Sequence, residues 1–60
     1  MNEELARKIL KDAYVTIGED NSLEHVHCLV WSPGDENIAL DDAFNAETLE
    51  ALAWWMKNTR

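Results

Sequence analysis

The residues best suited to metal binding or nucleophilic catalysis lie together in the middle of the chain. They are Glu24, His25, His27 and Cys28. Imidazole and thiolate are good zinc ligands, and a cysteine close to a histidine can be an activated nucleophile. In one continuous strand, however, residues 25 and 27 project from one face and residue 28 from the other. We therefore expect no metal, no cofactor and no catalytic residue, and we expect that the protein is not an enzyme.

Carboxylates dominate the chain between Asp12 and Met56, where ten of them occur without a lysine or arginine. The five basic residues all lie near the two ends, and the formal net charge is −7 at pH 7. A body of this kind repels phosphate backbones and anionic membranes and attracts cationic surfaces. We expect the partner to be a basic protein surface, such as that of a nucleic-acid-binding protein, and we expect no direct contact with nucleic acid or membrane.

Six of these carboxylates form doublets at expected turns or strand ends. The doublets are Glu19-Asp20, Asp35-Glu36 and Asp41-Asp42. The spacing of ligands in a calcium-binding loop is absent from these segments. Two interpretations stay open: ordinary solvated loop charge, or a negative ridge that imitates the phosphates of DNA. In the second case the protein would be a DNA mimic that occupies a nucleic-acid-binding site.

The tryptophans near the C-terminus offer an apolar contact beside the negative charge. If Leu49 faces the core, Trp55 lies on one flank of the last helix and Trp54 on the other. Trp54 could pack on the sheet edge or the first helix, or it could anchor an interface. We expect a partner-binding surface that combines aromatic and acidic residues: Trp31, Trp54, Trp55, Asp35, Glu36, Asp41, Asp42, Glu47 and Glu50.

A chain of 60 residues permits one small domain of marginal stability. A hydrophobic content of 47% is too high for a disordered acidic tail, and the single Cys28 excludes an internal disulfide. Self-association through Leu29 and Trp31, or through the tryptophan flank, would add stability, so a homodimer is possible. No segment suits a signal peptide or a membrane span, and we expect a cytoplasmic protein.

Local patterns predict five elements in the order helix, strand, strand, strand, helix. Residues 2–13 have the spacing of an amphipathic helix, with Asn2 as a cap. Strands are expected at 14–17, 23–31 and 37–41, with a type II turn at Pro33-Gly34 between the last two. Asn45 is expected to cap a helix that ends near Lys57, and Phe44 should pack on Leu49 as a hydrophobic staple.

These elements predict an α+β domain with a three-stranded antiparallel meander packed by the C-terminal helix and the N-terminal amphipathic helix. The expected core consists of Leu5, Ile9, Val15, Ile17, Val26, Cys28, Val30, Ile38, Leu40, Phe44, Leu49, Leu52 and Met56. The expected function is that of a non-enzymatic binding module, an acidic adaptor or inhibitor of the kind that phages also make. The alternatives are the DNA mimic and a structural homodimer.

Overall fold

The computed structural model describes residues 1–26 and 28–59, which form two helices and a three-stranded sheet. In chain order the elements are α1 (Glu3–Asp12), β1 (Val15–Ile17), β2 (Leu23–His25), β3 (Cys28–Trp31) and α2 (Ala46–Asn58). The sheet has the order β1-β2-β3, and both strand pairs are antiparallel. The predicted α+β fold, with its order α-β-β-β-α, is confirmed.

The first helix begins and ends as its sequence predicts. The side-chain oxygen of Asn2 accepts a hydrogen bond from the backbone N–H of Leu5 at 2.8 Å, which satisfies one of the free donors of the first turn. The pair Glu3 and Arg7 forms an ion pair at 2.9 Å. After the helix, Tyr14 takes a φ of 61°, and its N–H donates to the carbonyl of Lys11 at 3.0 Å. This conformation turns the chain from α1 into β1.

The predicted strand at 23–31 is wrong as one element, because the chain folds back within it and forms β2 and β3. Glu24 pairs with Leu29, and His25 pairs with Cys28. The reversal includes Val26, which has a φ of 54°. His27 lies outside the described residues. Apolar residues occupied both faces of the expected long strand. The reversal buries Leu23 and Trp31 together in the core, which one extended strand would have left apart.

The predicted strand at 37–41 is not a strand, although the chain returns beside β3. The type II turn is present: the N–H of Asp35 donates to the carbonyl of Ser32 at 3.0 Å, and Gly34 has a φ of 101°. The N–H of Ala39 then donates to the carbonyl of Val30 at 2.9 Å. Leu40, which should have faced inward, is 41% exposed. The segment therefore borders the sheet without extending its ladder.

The last helix buries a different face from the predicted one. Asn45 caps it as expected, accepting from the N–H of Thr48 at 2.8 Å. The buried residues are Thr48, Ala51, Leu52 and Trp55, at spacings of three and four. Leu49 is 40% exposed, and Phe44 meets the ring of His25 edge-on at 5.0 Å. Burying an indole removes more apolar surface from water than burying a leucine, so the helix turns Trp55 inward.

The core lies between the sheet and the two helices. It consists of Ala6, Ile9, Leu10, Val15, Leu23, Val30, Trp31, Ala51, Leu52 and Trp55. Four residues of the expected core are exposed instead: Leu5, Val26, Leu40 and Leu49. No helix in the described part of the chain has the length and apolar character needed to cross a membrane.

Candidate protein-binding surface

Two of the three tryptophans expected to meet a partner belong to the core. Trp31 is 1% exposed and Trp55 is fully buried. Their indole nitrogens are also engaged: Trp31 donates to the carbonyl of Asp35 at 3.0 Å, and Trp55 to that of Asn21 at 2.9 Å. These bonds satisfy the polar atom that a buried tryptophan must pair. A folded chain therefore cannot present either side chain to a partner, and the predicted surface loses both.

Trp54 is half-buried and keeps part of its ring at the surface. Its ring centroid lies 6.2 Å from that of Trp55, with the planes tilted by 52°. At 100° per residue, Trp54 shares one flank of α2 with Glu47, whereas Glu50 lies on the outer side. Trp54 therefore combines features of a packed residue and of an interface anchor. It packs against the core cluster and still offers apolar area next to a carboxylate.

The ten carboxylates between Asp12 and Met56 are all exposed. They are Asp12, Glu19, Asp20, Glu24, Asp35, Glu36, Asp41, Asp42, Glu47 and Glu50. Among residues 1–26 and 28–59, the one ion pair joins Glu3 and Arg7, outside this stretch. No cation of the described chain therefore neutralises this charge by direct contact. The surface has the uncompensated negative potential that attracts a cationic partner.

The three acidic doublets occupy two loops, because 35–36 and 41–42 both lie between β3 and α2. Glu19 and Asp20 lie in the turn between β1 and β2, where Asp20 accepts the N–H of Ser22 at 3.0 Å. Hydrogen bonds from Ser22 lower the pKa of the Asp20 carboxyl. The doublet at 35–36 follows the type II turn. Asp41 and Asp42 lie where the chain passes β3, and they border a depression in the surface.

This depression, named here the Asp41 pocket, is lined by His25, Val26, Cys28, Asp41 and Asp42 and has a volume of about 210 Å³. The Cys28 thiol donates to a carboxylate oxygen of Asp41 at 2.6 Å. This bond, together with desolvation and the nearby carboxylates, raises the pKa of the Cys28 thiol. Because the thiolate is the nucleophilic form, the arrangement suppresses nucleophilic reactivity.

The Asp41 pocket corrects the geometry expected for the histidine and cysteine cluster. Because the chain reverses between β2 and β3, His25 and Cys28 are cross-strand partners, whereas a continuous strand would have directed them to opposite faces. His25 is 8% exposed. Even so, no three His, Cys, Asp or Glu side chains within 1–26 and 28–59 form a group that could hold a metal ion.

Sequence reasoning missed the Asp41 pocket because its walls come from segments that were assigned to separate strands. Asp41 and Asp42 were recognised as an acidic doublet, but their position beside Cys28 depends on how the 32–45 loop returns along β3. The reversal at Val26 carries no glycine, asparagine or proline, so turn chemistry did not mark it. The signal available in the sequence was that both faces of the expected strand 23–31 carry apolar residues, which is unusual for one strand of a half-exposed sheet.

A second groove carries the opposite charge. Its lining comes from α1 and β1 and consists of Arg7, Lys11, Tyr14, Val15, Thr16 and Ile17. The guanidinium of Arg7 also lies 4.9 Å from the ring centroid of Trp55, a cation–π contact that ties α1 to α2. The groove therefore brings together two basic residues of α1, of which Arg7 is also paired with Glu3.

Comparison of the chain with protein-family models, with characterised proteins and with solved structures gave no match.

Proposed function

We propose that this chain is a non-enzymatic binding module, an acidic adaptor or inhibitor that docks onto a basic protein surface. The observation that carries the proposal is the set of ten exposed carboxylates that take part in no ion pair within the described residues. Charges left unpaired on a folded body raise the association rate with a cationic partner and help to set its specificity.

Apolar groups beside these carboxylates support a docking surface over simple solvation. Val26 is 59% exposed, Leu29 55% and Leu40 41%. Leu29 pairs across the strands with Glu24, and Leu40 directly precedes Asp41. Interfaces commonly combine apolar contact with a polar rim. The region around the Asp41 pocket, with Val26 and Leu40, therefore replaces Trp31 and Trp55 as the centre of the proposed surface. Leu29 projects from the opposite sheet face to Cys28, and Trp54 is retained as a second contact.

The state of Cys28 supports a role without catalysis by that residue. Its thiol donates to Asp41, and the raised pKa favours the protonated form. A reactive cysteine instead needs an environment that stabilises the thiolate. The His25 ring packs edge-on against Phe44, which fits a structural position better than that of a mobile base.

The exposed carboxylates also suit the second candidate, a DNA mimic. In that case the negative charge would supply most of the affinity, and the apolar groups would contribute little. The two candidates differ in how salt and side-chain truncation act. Binding to a site built for phosphates should fall steeply with salt, whereas docking through apolar contacts should be sensitive to their removal.

The proposal is tested by capture of partners on the immobilised protein at about 0.1 M and 0.5 M salt. Attraction between surface charges persists at the lower concentration and is largely screened at the higher one. The informative variant is Asp41→Asn/Asp42→Asn, and its matched control is Glu19→Gln/Asp20→Asn, which removes two charges from another loop. The proposal predicts that identified basic proteins are lost with the first variant and retained with the second. If both charge variants lose the captured proteins equally, and Trp54→Ala still captures them, the DNA mimic is favoured.

A further inference from the structure

One edge of the sheet is bordered by the chain itself, and the other edge is open. At β3, the N–H of Ala39 donates to the carbonyl of Val30 at 2.9 Å, so the 32–45 loop borders that strand. The opposite edge strand is β1. Within residues 1–26 and 28–59, no hydrogen bond reaches its outer side. An open edge strand offers its backbone groups to an added strand.

The register of the first hairpin shows which backbone groups of β1 face outward. Antiparallel strands alternate between pairs that exchange hydrogen bonds and pairs that do not. The N–H of Gly18 donates to the carbonyl of Ser22 at 2.8 Å, and this pair continues the register of the hairpin two residues beyond Thr16. Thr16 therefore bonds to β2, whereas the N–H and C=O groups of Val15 and Ile17 point away from it. Two donors and two acceptors are left for a ligand.

Two cations of α1 line the groove along this edge. The groove, named here the β1 groove, is lined by Arg7, Lys11, Tyr14 and the three residues of β1 and has a volume of about 480 Å³. Lys11 forms no ion pair within the described residues. Arg7 donates to Glu3 through Nε, which leaves the other four N–H donors of its guanidinium. Charge complementarity therefore favours an acidic ligand in this groove.

The spacing of these cations matches that of alternate residues in an added strand. Arg7 and Lys11 are four residues apart, which is about 6 Å along a helix, and alternate residues of an antiparallel strand are about 6.8 Å apart. Val15 and Ile17 direct their side chains to the core, on the face of the sheet that the helices cover. Residues of an added strand opposite these two project to the same face. Two acidic side chains separated by one residue can therefore meet both cations.

We propose that β1 binds an acidic, extended peptide segment of another protein by strand addition. The backbone of the segment bonds to Val15 and Ile17, and its alternate carboxylates meet Arg7 and Lys11. The added strand runs antiparallel to β1, as both strand pairs of the sheet do. This site goes beyond the proposed function, because the β1 groove shares no lining residue with the Asp41 pocket and takes a ligand of the opposite charge.

The experiment is an NMR titration of the full chain with the capped peptide Thr-Glu-Val-Glu-Thr. The salt concentration is about 0.15 M, at which repulsion by the net negative charge of the chain is screened beyond about 8 Å. Saturable shifts are expected at the amides of Val15, Thr16 and Ile17. The matched peptide Thr-Gln-Val-Gln-Thr should bind about two- to fivefold more weakly for each ion pair that it lacks.

A third peptide tests the backbone contact. It is the acidic peptide with a methyl group on the backbone nitrogen of each glutamate, so it keeps both charges and lacks the two N–H groups that donate to β1. It should bind at least about fivefold more weakly than the unmodified acidic peptide, because each lost hydrogen bond contributes about 1 kcal/mol.

A charge variant tests the assigned cation. Lys11→Gln should weaken binding of the acidic peptide about two- to fivefold and leave binding of the glutamine peptide unchanged. The matched control is Lys8→Gln, which removes the same charge from the same helix at a residue that does not line the β1 groove. It should leave the binding of both peptides unchanged. An unchanged spectrum of each free variant away from the substitution shows that it is folded.

Several results would overturn the proposal. Without a saturable shift in β1, or with equal binding of the N-methylated peptide, strand addition is wrong. Equal binding of the glutamine peptide, or unchanged binding of the acidic peptide by Lys11→Gln, would show that the groove does not select acidic segments. If the same amides shift when the chain alone is concentrated, and sedimentation shows a dimer, a second copy occupies the edge and the proposed ligand is wrong.

Discussion

At the scale of single residues, the most costly backbone conformation belongs to Val26. Its φ of 54° lies in the left-handed region, which is unfavourable for a β-branched side chain. The side chain is 59% exposed, so replacing it removes little packing. Val26→Asn should raise the free energy of unfolding by about 1 kcal/mol and the melting temperature by about 4–8 °C.

Thermal melting by circular dichroism checks this prediction. The control is Leu29→Asn, which exchanges a similarly exposed apolar residue inside β3, where no positive φ occurs. If both variants melt alike, the gain comes from surface polarity and the backbone explanation fails.

The contact between Cys28 and Asp41 makes a second prediction at this scale. Because the hydrogen bond to Asp41 raises the pKa of the Cys28 thiol, Asp41→Asn should lower that pKa and speed alkylation by iodoacetamide near neutral pH. The measurement is the alkylation rate as a function of pH, with Asp35→Asn as the control. An unchanged profile in Asp41→Asn would show that the carboxylate does not hold the thiol proton.

The same raised pKa fixes the direction of the pH effect on stability. The folded chain holds the thiol proton more tightly than the unfolded chain does. The contribution is therefore fully present below the unfolded thiol pKa and is lost as the pH rises through the folded value.

At the scale of elements, the two helix starts are set by local chemistry. Asn45 accepts the N–H of Thr48 at 2.8 Å, and this bond stabilises the first turn of α2. Asn45→Ala should lower the free energy of unfolding by about 1 kcal/mol. Urea denaturation checks the value, and Asn37→Ala in the exposed part of the 32–45 loop is the control. Equal losses would mean that the cap contributes nothing specific.

The success of prediction differed between elements for a physical reason. The caps at Asn2 and Asn45 and the turn at Pro33-Gly34 depend on neighbours in sequence, and all three formed as predicted. The reversal at Val26 and the buried face of α2 depend on contacts between distant segments, such as the bond from Trp55 to the carbonyl of Asn21. Hydrophobic spacing alone could not choose between Leu49 and Trp55 as the inward residue.

In the candidate surface, too, local features could be predicted from the sequence and features set by distant contacts could not. The exposure of the carboxylates could be expected from their type. The position of Asp41 beside Cys28 could not be predicted, because it follows from the path of the 32–45 loop along β3. The burial of Trp31 could not be predicted either, because it follows from the reversal that pairs Trp31 with Leu23.

At the scale of the whole molecule, self-repulsion should limit stability. The net charge of −7 is carried mainly by exposed carboxylates, and such repulsion destabilises a compact state. Raising the salt concentration from about 0.01 M to 0.5 M shortens the Debye length from about 30 Å to under 10 Å and should raise the melting temperature. Asp41→Asn/Asp42→Asn should show a smaller salt effect than the original chain. A melting temperature that falls with salt would contradict this picture of unpaired charge.

We propose above all that the negative surface around the Asp41 pocket docks a basic partner. The most direct measurement compares capture of identified proteins by the original chain, by Asp41→Asn/Asp42→Asn and by Glu19→Gln/Asp20→Asn at about 0.1 M salt, where charges within about 10 Å still interact. We predict that basic proteins are captured by the original chain and by the Glu19/Asp20 variant, and that they are lost from the Asp41/Asp42 variant. Capture of the same proteins by all three, or of no basic protein by any, would contradict it.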